Sequence, residues 1–268
     1  MTDTDYKIGF IGAGKMAEAL IASLLTGKLT TPQNIIAADP LPQRRDYIRD
    51  RFDIRITADN RDVLLASDIV FLAFKPQNFP TALEGLTPNT RPDHIIVSIM
   101  AGVRIENIRK ILPGQVIRVM PNTPCLVGQM AAGFAPAPDV SPADLEIVRN
   151  ILQSAGLALE VRQEDLDAVT GLSGSGPAFV AYLIDSFIAA GAAEGLSEEA
   201  ARNLTLQTFA GTAKLLTEWN LSPRELIDMV SSPGGTTVAG RDILESSQVK
   251  QTLIDTIKQA AERSRQLG

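Results

Sequence analysis

With 268 residues, the chain has room for one large or two modest domains and buries most of its surface on folding. Hydrophobic residues make up 45% and aromatics only 5%, so its cores are built from Ala, Leu, Ile and Val. The formal net charge of −6 argues against nucleic acid or an anionic membrane as main partner, and a lone cysteine, Cys125, excludes an internal disulfide or thiolate metal cluster.

Residues 1–5 carry neither the basic region nor the apolar core of a secretory signal, so a cytoplasmic protein is expected. Ile8, Phe10 and Ile11 then form a short apolar run suited to a buried parallel strand. Gly12, Ala13, Gly14 and Ala17 follow as Gly-x-Gly-x-x-Ala, where the helical spacing of Met16, Leu20 and Leu24 begins. Strand, tight turn and helix in that order make a dinucleotide fingerprint. Gly12 permits the turn, Gly14 lets the backbone approach a pyrophosphate, and the helix N-terminus offers unpaired N–H groups. A second strand is expected over residues 34–39. Asp39 at its end either bonds a ribose 2′-hydroxyl, favouring NAD, or caps the next helix. Arg44 and Arg45 stand near enough in sequence to meet a 2′-phosphate, so NAD and NADP both remain open.

Short strands are expected over residues 54–57, 69–73, 95–99, 116–120 and 157–161, with a short helix over 60–66 and another starting at Ser141. The loops after the strands at 69–73 and 95–99 hold Phe74, Lys75 and Pro76, and Met100 and Ala101. Such loops, at the carboxyl ends of parallel strands, are where ligands sit. His94, the only histidine, is expected at the surface where a strand starts, and Cys125 in a packed loop. Past residue 161 only helical patterns appear. Residues 178–193 are nearly all apolar but short for a membrane span, and they include Asp185. The expected fold is a Rossmann-like, doubly wound, mostly parallel sheet over residues 1–161, followed by an all-α domain over 162–268.

Two glycine-rich turns, at residues 172–177 and 231–237, interrupt the helical half. Each precedes a helix and would aim backbone N–H groups outward, at a small anionic substrate. No Ser–His–Asp set or metal-ligand spacing occurs. A site without a strong acid or base suits an imine, which arrives already protonated and needs only hydride.

Gly9-Phe-Ile-Gly-Ala-Gly-Lys-Met, Ala73-Phe-Lys-Pro-Gln, Met120-Pro-Asn-Thr-Pro, the stretch over residues 167–178 and Val230-Ser-Ser-Pro-Gly-Gly-Thr-Thr together resemble pyrroline-5-carboxylate reductase. The resemblance implies reduction of 1-pyrroline-5-carboxylate to proline by NADPH or NADH. It implies cofactor contacts from Ile11, Gly12, Ala13, Gly14, Lys15, Met16, Asn60, Ala73, Phe74, Lys75, Pro76, Ile99, Met100 and Ala101. It implies a substrate site from Val230, Ser231, Ser232, Gly234, Gly235, Thr236 and Thr237, joined by Ser175 and Gly176, with the Thr237 hydroxyl by the imine nitrogen as the catalytic group. It further implies a homodimer through the C-terminal helices, or a larger ring of dimers. Two departures stand out: Asp39 replaces the small polar residue of many members, and an acidic substrate contact of some members falls on Asn220. A β-hydroxyacid dehydrogenase would need a lysine after its glycine turn, and residues 162–213 contain none. A non-catalytic nucleotide sensor would not need the turn at 231–237.

Overall fold

The computed structural model describes residues 6–267, so the segment read above for a leader, residues 1–5, lies outside them. Strands β1 (Ile8–Ile11), β2 (Ile35–Ala38), β3 (Arg55–Thr57), β4 (Ile69–Leu72), β5 (Ile95–Ser98), β6 (Gln115–Met120), β7 (Met130–Pro136) and β8 (Gly156–Glu160) form a sheet in the order β3-β2-β1-β4-β5-β6-β7-β8. Neighbours run parallel except β6 and β7. Helices α1 (Lys15–Thr26), α2 (Pro42–Phe52), α3 (Asn60–Ala66), α4 (Phe79–Ala82), α5 (Ile105–Arg109), α6 (Pro142–Gln153) and α7 (Leu166–Val169) connect and flank the strands. Chain order reverses between β1 and β4, and in such sheets ligands bind at that switch point.

The period-two alternation of each strand divides the core in two. Ile8, Phe10, Phe71, Val97 and Ile117 face α1 and α6, where they meet Leu20, Leu24, Val148 and Leu152. Ile11, Val70, Leu72 and Ile96 face the other way, onto Val63 and Leu64 of α3 and Ile105 and Ile108 of α5. The Phe10 and Phe71 rings stack at 4.8 Å across the β1–β4 pair. Full burial of such a side chain contributes about 1.5–3 kcal/mol.

The expected strands are present, with ends shifted by a residue or so, and one more appears. β7 has an Ala- and Gly-rich sequence of weak strand propensity, yet it pairs with β6 on one side and β8 on the other.

One compact unit comprises the residues up to Ser175 together with those from Gln259 onward, and the other is Gly176–Lys258. The last strand ends at Glu160, but the helical residues after it stay with the sheet. A Cβ on Gly133 of β7 would come within 2.9 Å of the Val169 side chain.

The second unit holds α8 (Gly176–Ala193), α9 (Glu198–Glu218), α10 (Pro223–Met229), α11 (Thr236–Ser246) and the first half of α12 (Val249–Leu267). Ser222 and Glu225 form a capping box at α10, and the Phe187 and Phe209 rings meet edge to face at 5.1 Å. In α8 no residue is buried, and Tyr182 is 74% exposed. The helical run Gln163–Ala193, longer than the apolar stretch 178–193 by itself, is long and apolar enough to cross a membrane by length and composition.

The glycine-rich stretch at 172–177 is not the turn expected. Thr170–Gly174 is a π-helical turn, and the Ser175 N–H donates to the Thr170 carbonyl at 2.8 Å. Gly174 serves packing, since a Cβ there would lie 2.6 Å from Met120 Cε.

Candidate active site

The first unit gathers three loops at the carboxyl ends of β1, β4 and β5. Gly12 has φ +93°, its N–H donates to the Ala38 carbonyl at 2.8 Å, and a Cβ there would lie 2.6 Å from the Ala73 carbonyl oxygen. Only glycine fits that approach. Helix α1 begins at Lys15 with Gly14 as its N-cap and no side-chain cap. The N–H groups of Lys15, Met16 and Ala17 therefore have no intrahelical partner. A Cβ on Gly14 would meet nothing nearer than the Ala73 oxygen at 4.0 Å, so the backbone there borders open space. Uncapped N–H groups at the positive end of a helix, with room beside them, fit a pyrophosphate.

The neighbouring loops are tied to this turn. Ala73 N–H donates to the Ile11 carbonyl at 2.8 Å, and Ile99 N–H to the Leu72 carbonyl at 3.2 Å. Phe74 is part-buried, Lys75 exposed ahead of the turn Pro76–Asn78, and Met100 buried beside Ala101. Asn60 opens α3, where its Nδ2 donates to the Ala82 carbonyl at 2.9 Å. Its amide is engaged with α4 and makes no hydrogen bond to the three loops.

Asp39 follows β2 and does not cap α2, whose N-cap is Leu41 without a side-chain bond. Its Oδ2 accepts from the Ala13 N–H at 3.1 Å and its Oδ1 from the Leu41 N–H at 3.0 Å. Arg44 donates through Nε to the Ala13 carbonyl and through Nη2 to Glu18 at 2.6 Å. Arg45 donates to the carbonyls of Asp39 and Pro40. Glu18 and Tyr47, which complete this cluster, were not visible as site residues in the sequence. Their only signal is the spacing of Lys15 to Glu18 and of Arg44, Tyr47 and Arg51 along single helix faces.

In the second unit, Val230 ends α10 and residues 231–235 turn into α11. Gly234 has φ +69°, Gly235 N–H donates to the Ser232 carbonyl at 3.0 Å, and a Cβ on Gly235 would lie 2.5 Å from Ser232 Oγ. Gly235 is the N-cap, and no side chain caps α11. The N–H groups of Thr236, Thr237 and Val238 are thus left open to an anion. Thr237 is exposed, and its hydroxyl has no partner among the described residues. Ser231 Oγ is buried and likewise unpartnered. Ser175, placed in this set from the sequence, has its N–H committed to Thr170 and offers none to a ligand.

His94 is not a surface residue: it is fully buried, and its Nδ1 accepts from the Arg91 N–H at 2.9 Å. The neighbouring chain folds over it between β4 and β5. Burial, helped by the Arg91 charge, pushes its pKa below the ordinary histidine value. Cys125 is buried, and burial pushes its thiol up to about 11, away from thiolate chemistry.

Residues 163–267 match the family of pyrroline-5-carboxylate reductase dimerisation domains, and residues 7–102 the coenzyme F420-dependent NADP oxidoreductase family. A pyrroline-5-carboxylate reductase of Synechocystis sp. is 39% identical over 264 residues, covering 98% of both chains. One from Arabidopsis thaliana is 36% identical and covers 98% of this chain and 96% of its own. Among solved structures, a pyrroline-5-carboxylate reductase from Coxiella burnetii superposes with a TM-score of 0.93 at 30% identity, covering 98% of both chains. The Plasmodium falciparum enzyme with NADP bound gives 0.88 at 30%, covering 99% of both.

Proposed function

We propose that this chain, which belongs to the pyrroline-5-carboxylate reductase family, reduces 1-pyrroline-5-carboxylate to L-proline with NADH or NADPH, the last step of proline biosynthesis. The observation that carries the reading is the turn at residues 231–237. It combines uncapped N–H groups at a helix start with a threonine hydroxyl that has no protein partner.

In this reading Gly12, Ala13 and Gly14 bring the backbone against the pyrophosphate, which the N–H groups of Lys15 and Met16 hold. Ile11, Ala73, Phe74, Lys75, Pro76, Ile99, Met100 and Ala101 flank the remainder of the dinucleotide, with Asp39 and Asn60 towards its adenosine end. When bound, the reduced nicotinamide supplies the hydride. The open N–H groups of Thr236 and Thr237, reached past Gly234 and Gly235, take the substrate carboxylate, while Val230, Ser231 and Ser232 shape the turn around it. The Thr237 hydroxyl meets the ring nitrogen, orients the imine and follows its change of charge. One hydride at the imine carbon, with the nitrogen proton already in place, completes proline without a strong general acid.

The same reading makes the molecule a homodimer through its C-terminal helices, or a ring of such dimers. Val180, Tyr182 and Phe187 of α8 lie exposed in a single chain, and a second copy would remove them from water. It puts the enzyme in the cytoplasm, where reduced dinucleotide is supplied. Purified protein should consume reduced cofactor with 1-pyrroline-5-carboxylate and not with a β-keto acid or without substrate. Turnover of the keto acid alone would make it a hydroxyacid dehydrogenase instead.

A further inference from the structure

Glu18 sits in the first turn of α1 with a side chain only 6% exposed. It receives Arg44 Nη2 at 2.6 Å, Tyr47 Oη at 2.9 Å and Lys15 Nζ at 3.3 Å, with Arg51 Nη1 at 3.4 Å. Burial raises the pKa of its carboxyl, but the hydrogen bonds from Arg44, Tyr47 and Lys15 outweigh it and hold the group below the ordinary carboxylate range.

The same cluster reaches the fingerprint turn. Asp39 binds the N–H of Ala13, and Arg44 binds its carbonyl, so one peptide segment is held from both sides. The Arg44 guanidinium also lies over the Tyr47 ring at 4.9 Å. Arg44 is the guanidinium fastened to the dinucleotide turn, held there through Nε on Ala13 and Nη2 on Glu18. Arg45 is turned onto the backbone carbonyls of Asp39 and Pro40, which both accept from its Nη1.

We propose that Glu18 is a specificity-determining positioning residue: by holding Arg44, it withholds the cation that a ribose 2′-phosphate would need, and so biases the chain towards the unphosphorylated dinucleotide. The inference rests on the dinucleotide reading of residues 12–17. A 2′-phosphate brings added negative charge beside the Asp39 carboxylate and needs a forked donor to offset it. Drawing Arg44 onto that phosphate would strip a buried carboxylate of its shortest ion pair. Losing the closest partner of a buried carboxylate is costly even while Tyr47, Lys15 and Arg51 stay beside it. Asp39 thus opposes the phosphate directly, and Glu18 opposes it by keeping Arg44 occupied.

The test is calorimetric binding of NAD+ and NADP+, and of the fragments AMP and 2′,5′-ADP, to the full-length protein. The native chain should bind NAD+ at least as tightly as NADP+. Glu18→Gln should raise the NADP+ to NAD+ affinity ratio about tenfold or more, and adding Arg44→Met should remove that gain. Arg44→Met alone should weaken NADP+ no more than about threefold, because Arg44 is not yet on the phosphate. A folded Glu18→Gln variant with an unmoved ratio overturns the proposal. If that variant does not fold, Arg44→Met decides: a selective tenfold loss of NADP+ binding overturns it. Binding of neither dinucleotide would instead overturn the dinucleotide reading on which the proposal stands.

Discussion

Asp39 Oδ2 accepts the backbone N–H of Ala13 at 3.1 Å, so the acid after β2 and the fingerprint turn after β1 form one unit. The carboxylate fastens the turn, and in the proposed dinucleotide reading it is also the charge that a ribose would meet.

Both roles are separable in Asp39→Ser. Losing a carboxylate that accepts from Ala13 and Leu41 should lower stability by about 1–3 kcal/mol, seen as an earlier thermal midpoint. Removing the charge should also shift kcat/KM towards NADPH relative to NADH. An earlier midpoint with an unchanged cofactor ratio would leave Asp39 as a fastener only.

His94 gives the fold a pH dependence. Its folded-state pKa is depressed by burial, so below about 6.5 the unfolded chain takes up a proton that the folded chain refuses. Its contribution to stability is complete above that pH and is lost as the pH falls through the lower, folded value. Thermal midpoints should drop between pH 7 and pH 5, and His94→Asn, which can still accept from the Arg91 N–H, should drop less. Equal slopes for the two proteins would remove His94 from the account.

The apolar face of α8 predicts the assembly. Light scattering at micromolar concentration should give at least twice the chain mass of 28.7 kDa. Val180→Glu with Tyr182→Glu should reduce that mass towards a single chain, since both side chains are exposed in one copy. A stable, active native monomer would contradict the dimer.

The sequence carried the strands that are apolar throughout and the fingerprint between β1 and α1, because each depends on local pattern. It did not carry β7, whose Ala and Gly residues become a strand only because β6 and β8 offer partners on both sides. The stretch at 172–177 reads as a turn by composition, yet Gly174 is there to admit Met120, a contact between residues far apart in sequence. His94 misled for the same reason: a lone histidine before a strand looks exposed until the chain at Arg91 folds back on it. The turn at 231–237 was legible because Pro233, Gly234 and Gly235 dictate its shape locally. The grip of Glu18 on Arg44 was not, since it joins two helices.

The central claim is that the turn before α11 positions a cyclic imine through Thr237. Thr237→Val keeps the shape of the side chain and removes the hydroxyl, which caps nothing in α11. The account predicts a folded oligomer with unchanged dinucleotide affinity and kcat/KM for 1-pyrroline-5-carboxylate lower by about tenfold to a hundredfold, one hydrogen bond lost in the transition state. An unchanged kcat/KM in that variant would contradict it and leave the imine to the backbone N–H groups alone.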